Sequence, residues 1–301
     1  MRWDNFRRSS NVEDAGSSGS GSGGFRIGGG RLGIGAVIAI LLVSWGLGID
    51  PRVLLGAFEG GSSDQGYTDS SRTGAATQGA SQNRAEPFVA AVLGETEDRW
   101  TEILAPYHVT YEAPKLVLFS GATRSACGAA ESAMGPFYCP NDERIYLDTE
   151  FFQEIETRLG GCQAGSKTCE FSEAYVIAHE VGHHVQNLLG ILGKVERLKR
   201  QVSDTQANQI QVRVELQADC FAGLWAARAQ ARWNFLEEGD VDAALQTASA
   251  IGDDTLQKRS MGYVVPDAFT HGTSAQRKRW FMTGLKQATI ESCDTFSARG
   301  L

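Results

Sequence analysis

Apolar residues recur at a spacing of three to four along much of the second part of the chain. This spacing is typical of helices that bury one face. It predicts helices over 87–104, 149–159, 172–189, 206–230 and 273–288. Shorter apolar or alternating runs predict a strand over 115–120 and a hairpin or paired strand over 136–148. Because helices outnumber strands, we predict an α+β domain that is mostly helical, with a small antiparallel sheet.

Residues 143–148 (ERIYLD) have two readings within that sheet. They can form an exposed edge to which an extended peptide adds as a further strand. They can equally form a plain core strand.

A different pattern occupies residues 32–49, an uncharged apolar run of 18 residues that is just long enough to cross a bilayer as a helix. The alternative is a cleaved signal peptide, which has a short basic leader and a small-residue cleavage site. Here 31 residues precede the run and no clear site follows it, so we predict one uncleaved transmembrane helix.

The charges beside this run predict its orientation. Five arginines precede it: Arg2, Arg7, Arg8, Arg26 and Arg31. The positive-inside rule then places the N-terminus in the cytoplasm and the bulk of the chain on the far side of the membrane. Ser/Gly-rich composition predicts that residues 1–31 are a flexible cytoplasmic tail and that residues 50–86 are a tether. The folded domain is predicted to be 87–301.

Six cysteines follow the apolar run, and an even number in an oxidising compartment suggests up to three disulfides among 15 connectivities. Short loops make Cys127–Cys139 and Cys162–Cys169 the easiest pairs, which leaves Cys220–Cys293. Some of these cysteines can instead be buried thiols. The net charge of −8 and the absence of a long Lys/Arg run argue against a nucleic-acid partner.

The stretch 171-FSEAYVIAHEVGHHVQNLLG-190 contains the pattern H-E-x-x-H. On a helix, His179 and His183 project from the same face, as two ligands of one metal ion must. Glu180 is placed to accept a proton from a water activated by that metal. The glycine and third histidine of one extended form of this motif would fall at Gln186 and Leu189, so another ligand must come from elsewhere.

The segment 215-ELQAD-219 offers that ligand on the second long helix. Glu215 and Asp219 again share a helix face, among mostly apolar neighbours where unpaired acids are costly. Catalytic zinc commonly takes two His and one Glu. We therefore predict one Zn²⁺ per chain, held by His179, His183 and Glu215, with Asp219 bonded to the other nitrogen of a ligand histidine. The opposing interpretation is an ordinary amphipathic helix with both acids in solvent.

H-E-x-x-H followed by E-x-x-x-D resembles the gluzincin metallopeptidases. Three stretches, 136–148, 178–186 and 215–223, together with 269–277, more closely resemble the bacterial putative neutral zinc metallopeptidase family. The resemblance covers most of residues 90–290. It implies a zincin-like fold and a membrane-anchored, zinc-dependent peptidase. It also implies His179, His183 and Glu215 as metal ligands and Glu180 as the base.

The remaining histidines have less distinctive surroundings. His271 is our candidate for the donor that stabilises the tetrahedral intermediate, with Arg277 or a tyrosine as rivals. A loop or cap role for His271 is the alternative. His184 is turned about 100° from its neighbour on the helix, so packing is favoured over ligation. His108 is predicted to be structural.

Together these features predict a membrane-anchored zinc endopeptidase that hydrolyses proteins or peptides in the cell envelope. The first alternative is a zinc-stabilised, membrane-tethered binding module without catalysis. Glu180 favours the enzyme, because a scaffold needs only the ligands. A second alternative is a zinc hydrolase that cleaves another bond, such as a cell-wall amide. The sequence leaves the substrate and the oligomeric state open.

Overall fold

The computed structural model of the protein describes residues 1–17, 74–131, 135–159, 162, 166 and 168–301. The chain divides into two compact units, one made of residues 1–19 and 78–301 and the other of residues 20–77. The first unit contains every candidate site residue. It is mostly helical with small sheets, which confirms the predicted α+β class.

Most of the described residues of the first unit lie in helices. In chain order they are α1 Gly74–Leu104, α2 Thr149–Glu154, α3 Thr168–Leu188, α4 Ile191–Lys199, α5 Asp204–Trp233, α6 Asp240–Ala250, α7 Asp253–Met261 and α8 Ser274–Gln287. Ser203 caps α5 and Thr273 caps α8 through capping boxes, which satisfy backbone N–H groups in the first turn.

The strands form two separate sheets. Their bounds are β1 Val12–Ser17, β2 Lys115–Ser120, β3 Ala122–Ser125, β4 Gly128–Glu131, β5 Phe137–Cys139 and β6 Arg144–Asp148. The larger sheet has the order β1-β2-β6-β5, and β3 pairs with β4 in a small antiparallel ribbon. In the larger sheet β2 is parallel to both neighbours, and only β5 and β6 are antiparallel.

The prediction of a small antiparallel sheet is therefore wrong for the main sheet, which is mixed. Strand direction depends on which distant segments pair, and local alternation carries no information about it. β6 lies between β2 and β5, so residues 143–148 include a central strand. The edge beside the candidate site is β5.

The N-terminal residues differ most from the prediction. Residues 12–17 form β1, and Met1 and Phe6 are buried in the core. The flexible tail is therefore wrong for residues 1–17, because these residues bury apolar surface and pair with β2. The tether is wrong for residues 74–86, which belong to α1. Residues 18–73, including the predicted span at 32–49, lie outside the described part of the chain.

Helix α3 occupies the centre of the helical layer. Nearly every residue from Cys169 to Gln186 is buried, so α3 is covered on all sides and is more than a one-sided amphipathic helix. It packs against α5, α6 and β5, and α5 packs in turn against α8. This central position explains why polar side chains of α3 are buried.

Three disulfides cross-link this unit, with the pairing Cys127–Cys139, Cys162–Cys169 and Cys220–Cys293. All three predicted pairs are confirmed. The last of them joins α5 to the segment after α8, next to the residues that carry the candidate site.

Within the described residues, no helix combines the length and the apolar character that crossing a membrane requires.

Glycines allow α5 and α8 to touch. A Cβ atom at Gly284 would overlap the carbonyl oxygen of Cys220. We expect Gly284→Ala to destabilise the fold by about 1–3 kcal/mol, as overpacking of a close contact typically does. Chemical unfolding of the purified chain measures this change.

Gly193→Ala is the matched control, because Gly193 is also helical but a Cβ there would meet only the flexible end of Arg197. This variant should be neutral or gain up to about 1 kcal/mol from helix propensity. Equal stability of the two variants would contradict the packing argument.

Candidate metal centre

The candidate site forms where α3 and α5 approach closely. Gly182 of α3 faces Ala218 of α5, and even a methyl group at Gly182 would lie 3.1 Å from the Ala218 backbone. Small residues at this crossing let polar side chains on both helices meet. Gly223, also on α5, packs instead against Phe281 of α8.

Three side chains converge at this crossing. The Nε2 atom of His179 lies 3.3 Å from the Glu215 Oε2 atom, and the Nε2 atom of His183 lies 3.4 Å from the same oxygen. One ligand atom from each residue lies within 4.8 Å of the other two. Two imidazole nitrogens and one carboxylate form the donor set that zinc takes in catalytic sites.

The outer nitrogens of both imidazoles are held by hydrogen-bond acceptors. The Nδ1 atom of His179 lies 2.9 Å from Asp219 Oδ1, and the Nδ1 atom of His183 lies 2.9 Å from Gln186 Oε1. Each Nδ1–H therefore donates outward, and in the neutral ring Nε2 carries a lone pair that points at the centre. Lone pairs facing a carboxylate suit a bound cation, so the residues present fit a zinc ion.

Asp219 lies at the centre of a buried polar network. Besides His179, it accepts hydrogen bonds from Tyr175 Oη at 2.5 Å and from Arg277 Nε at 2.8 Å. Burial would raise the pKa of Asp219, but Arg277 and His179 outweigh it and lower the pKa to about 2. Asp219 therefore stays ionised and fixes the orientation of the first ligand ring.

The charges around His179 and Glu215 favour a cation between them. Burial would lower the pKa of His179, but the charge of Asp219 and the bonds to Asp219 and Glu215 raise it to about 9. Burial would raise the pKa of Glu215, yet His183 and His179 hold it well below its usual range. The pocket thus favours positive charge at the two Nε2 atoms, whether a proton or a metal ion carries it.

Glu180 lies beside the ligands and lines the same cleft. It is only 6% exposed, and no described side chain forms a hydrogen bond or ion pair with its carboxylate. Burial raises the pKa of Glu180, although His183 and His179 oppose the shift. A buried carboxylate without a partner is costly for folding, and a raised pKa suits a group that accepts and returns protons.

His271 reaches the cleft from the loop between α7 and α8. Its Nδ1 atom lies 3.2 Å from Asp253 Oδ1, and the backbone N–H groups of Thr270, His271 and Gly272 all donate to Asp253 Oδ2. One carboxylate thus fixes both the loop and the ring. The His271 side chain is 50% exposed, so it can meet a ligand in the cleft.

The cleft has a volume of about 1040 Å³ and brings together residues that are far apart in the sequence. His179, Glu180, His183, Glu215, His271 and Arg277 all line it. Asp219 lies behind the ligands and is fully buried.

The two histidines predicted to be structural have no place in this cluster. His184 contacts Tyr138 Oη at 3.1 Å and the backbone oxygen of Glu112 at 2.6 Å. His108 ends a short 3₁₀ helix in the left-handed conformation.

Sequence reasoning missed four residues that hold the site in place: Tyr175, Gln186, Gln211 and Asp253. Tyr175 precedes His179 by four residues and Gln186 follows His183 by three, so helical spacing could have placed both beside the ligands. Asp253 could not be found in this way, because its partner His271 is 18 residues away across a loop.

Comparisons with known proteins agree with this geometry. The model of the family described as "Putative neutral zinc metallopeptidase" matches residues 1–296. The uncharacterized protein YpfJ of Escherichia coli (strain K12) is 42% identical over 299 residues, which cover 98% of this chain and 99% of that protein. The uncharacterized protein Rv2575 of Mycobacterium tuberculosis (strain H37Rv) is 40% identical over 232 residues, which cover 74% of this chain and 75% of that protein.

No solved structure shows significant similarity to the chain. The family model nevertheless spans nearly the whole sequence, and His179, His183 and Glu215 form a possible metal site. The chain therefore belongs to the putative neutral zinc metallopeptidase family.

Proposed function

We propose that this protein is a zinc-dependent endopeptidase of the bacterial cell envelope. One observation carries the proposal: His179, His183 and Glu215 converge at the cleft, with the buried carboxylate of Glu180, which pairs with no described side chain, beside them. Two histidines and an acid provide a metal site, and the adjacent carboxylate provides a base.

His179, His183 and Glu215 would hold the zinc ion. Zinc, when bound, polarises a peptide carbonyl and lowers the pKa of water towards neutrality. The remaining steps belong to the chain itself. Asp219 and Gln186 keep the two imidazole rings aimed at one point, and Gln211 holds the second oxygen of Glu215 at 2.8 Å.

Glu180 acts as general base and then as general acid. It takes a proton from the attacking water and gives it to the nitrogen of the leaving amine. Its burial supports this role, because a raised pKa makes the carboxylate a better proton acceptor. The carboxylate ends the cycle ionised, as it began.

His271 is proposed to donate a hydrogen bond to the oxygen that gains negative charge during the reaction. Asp253 supports this role, because it holds the ring through Nδ1 while His271 lines the cleft. Arg277, one of the rival candidates, already donates hydrogen bonds from Nε and Nη2 to Asp219. This engagement favours His271.

The cleft suits an extended peptide. Its wall includes Phe137 and Tyr138 of β5, which is the edge strand of the larger sheet. A peptide can add to such an edge through backbone hydrogen bonds, with side chains recognised by pockets.

The enzyme is favoured over a non-catalytic binding module by the state of Glu180. A zinc-stabilised scaffold needs its ligands but gains nothing from a buried carboxylate that pairs with no described side chain.

The first test is hydrolysis of a fluorescently labelled, unfolded protein by the zinc-loaded full chain. Cleavage that a chelator stops and added zinc restores is the expected result; a zinc-loaded chain that cleaves nothing would favour the binding module.

We also propose that the metal centre acts outside the cytoplasm, at the inner membrane. The three disulfides support an oxidising compartment. The apolar run at 32–49 supports attachment to the membrane.

Loss of the third ligand should release the metal. We expect Glu215→Ala to lower the zinc content of the dialysed protein from about one ion per chain to well below half, because structural and catalytic sites need their full donor set. Elemental analysis of the purified protein measures this change. Glu196→Ala is the matched control, since Glu196 lines the same cleft but is exposed and pairs with Arg200. If Glu215→Ala retains zinc as the control does, Glu215 is not a ligand.

The pH profile tests His271. Burial lowers its pKa, but the bond to Asp253 and the charge of Glu215 outweigh burial and raise it. The protonated ring is the better donor, so activity should be present below this raised pKa and fall as the pH rises through it. Asp253→Asn should lower that pKa and move the alkaline fall of kcat/KM to lower pH. Asp254→Asn, one residue away and bonded to Ser274, is the control. An unchanged alkaline limb in Asp253→Asn would remove His271 from the mechanism.

A further inference from the structure

The first residues of the chain are built into the core that supports the metal centre. Phe6 is 4% exposed and contacts the rings of Trp233 and Phe235, with ring centroids 6.4 and 5.4 Å apart. Trp3 packs edge-on against Phe88 of α1 at 5.5 Å. Trp233 is the last residue of α5, the helix that carries Glu215, so these contacts belong to the same unit as the site.

Backbone pairing fixes the same segment. β1 runs parallel to β2, with Val12 opposite Leu116 and Glu13 opposite Val117. The Glu13 carboxylate forms ion pairs with Lys115 of β2 and with Arg144 of β6. Without β1, the backbone of β2 would be an open edge.

The arginines that predicted a cytoplasmic N-terminus are engaged in this docking. Arg7 forms ion pairs with Glu97 and Asp98 of α1, at 2.6 and 2.8 Å. Arg2 donates to the backbone oxygen of Asn234 at the end of α5. Arg8 lies over the ring of Trp3 and donates to the backbone oxygen of Phe6. Three of the five arginines counted for the positive-inside rule thus have partners within the folded unit.

Chain connectivity then restricts the topology. The chain leaves this unit after Gly19 and returns to it at Gln78, so both ends of the intervening segment belong to one folded body. A segment that crossed a membrane once would place its two ends on opposite sides. Residues 1–17 could then not pair with β2, nor bury Phe6 beside Trp233.

We infer that residues 1–17 lie on the same side of the membrane as the metal centre, because a single crossing between them would separate β1 from β2. This topology replaces the predicted cytoplasmic N-terminus. The inference depends on membrane attachment and is independent of the proposed peptidase activity.

Two single cysteines test the topology in the full-length chain. Ser10→Cys reports on the N-terminal segment and Ser260→Cys on the end of α7; both side chains are exposed. All six native cysteines are paired, so the wild-type chain provides the unlabelled control. Each variant is treated with a membrane-impermeant maleimide on intact spheroplasts and again after permeabilisation.

Equal labelling of both variants on intact spheroplasts is the expected result, and it places both segments outside the cytoplasm. Labelling of both only after permeabilisation would uphold the shared side, but it would overturn the proposed extracytoplasmic location of the site. Labelling of Ser260→Cys on intact spheroplasts, with Ser10→Cys protected until permeabilisation, would overturn the inference. The opposite pattern would overturn it too.

Discussion

Glu180→Gln should leave zinc bound and reduce peptide hydrolysis by roughly two to four orders of magnitude, the usual contribution of a positioned acid–base group. The amide is nearly isosteric with the carboxylate but cannot take a proton from water. The ligand atoms of His179, His183 and Glu215 are untouched by this change. The paired measurements are zinc content by elemental analysis and kcat/KM on an unfolded protein substrate.

Removing the carboxylate should also stabilise the fold slightly, because Glu180 is buried without a described partner. An increase in the midpoint of thermal unfolding would therefore accompany the loss of activity. Glu196→Gln serves as control, since Glu196 lines the cleft but is exposed. Substantial hydrolysis by Glu180→Gln would refute the mechanism, whereas loss of zinc from this variant would show that Glu180 helps to hold the metal.

Phe6→Ala should destabilise the whole domain by about 3–5 kcal/mol, as truncation of a buried aromatic side chain typically does. This cost is a large share of a stability of roughly 5–15 kcal/mol, which is typical of domains. The effect is unexpected for a flexible tail, but Phe6 is buried against Trp233 and Phe235. Chemical unfolding of the full-length chain measures the change.

Asn5→Ala provides the matched control, because the neighbouring Asn5 side chain is exposed. It should change the free energy of unfolding by less than about 0.5 kcal/mol. Deletion of residues 1–17 should have a larger effect than Phe6→Ala, since it also opens the edge of β2 and leaves Glu97 without Arg7. Wild-type stability in Phe6→Ala would mean that the N-terminal segment is dispensable for the fold.

The site was predictable from sequence because it rests on helical spacing. His179 and His183 are four residues apart, as are Glu215 and Asp219, and this interval places each pair on one helix face whatever the rest of the fold does. The cost of burying acids on an apolar face suggested that the two pairs meet. The partner of His271 was not predictable, because Asp253 reaches it only through the packing of α7 against the following loop.

The prediction of a flexible cytoplasmic tail was wrong for residues 1–17 because it rested on composition and charge alone. Its Ser/Gly-rich continuation and its arginines are typical of a tail held in the cytoplasm. Composition indicates the conformational preference of an isolated segment. Phe6 and β1 are ordered instead by their contacts with α5 and β2.

The sequence by itself determined the candidate metal donors and the fold class of this protein: a helix with H-E-x-x-H, a second helix with E-x-x-x-D, six pairable cysteines and a mostly helical domain. These features follow from local periodicity and from the donor atoms that zinc requires. Only the tertiary structure decided that the main sheet is mixed, that Asp253 orients His271, and that residues 1–17 belong to the domain. Those features depend on contacts between segments that are distant in the sequence or separated by a loop, and the local pattern does not show which distant surface a segment will bury.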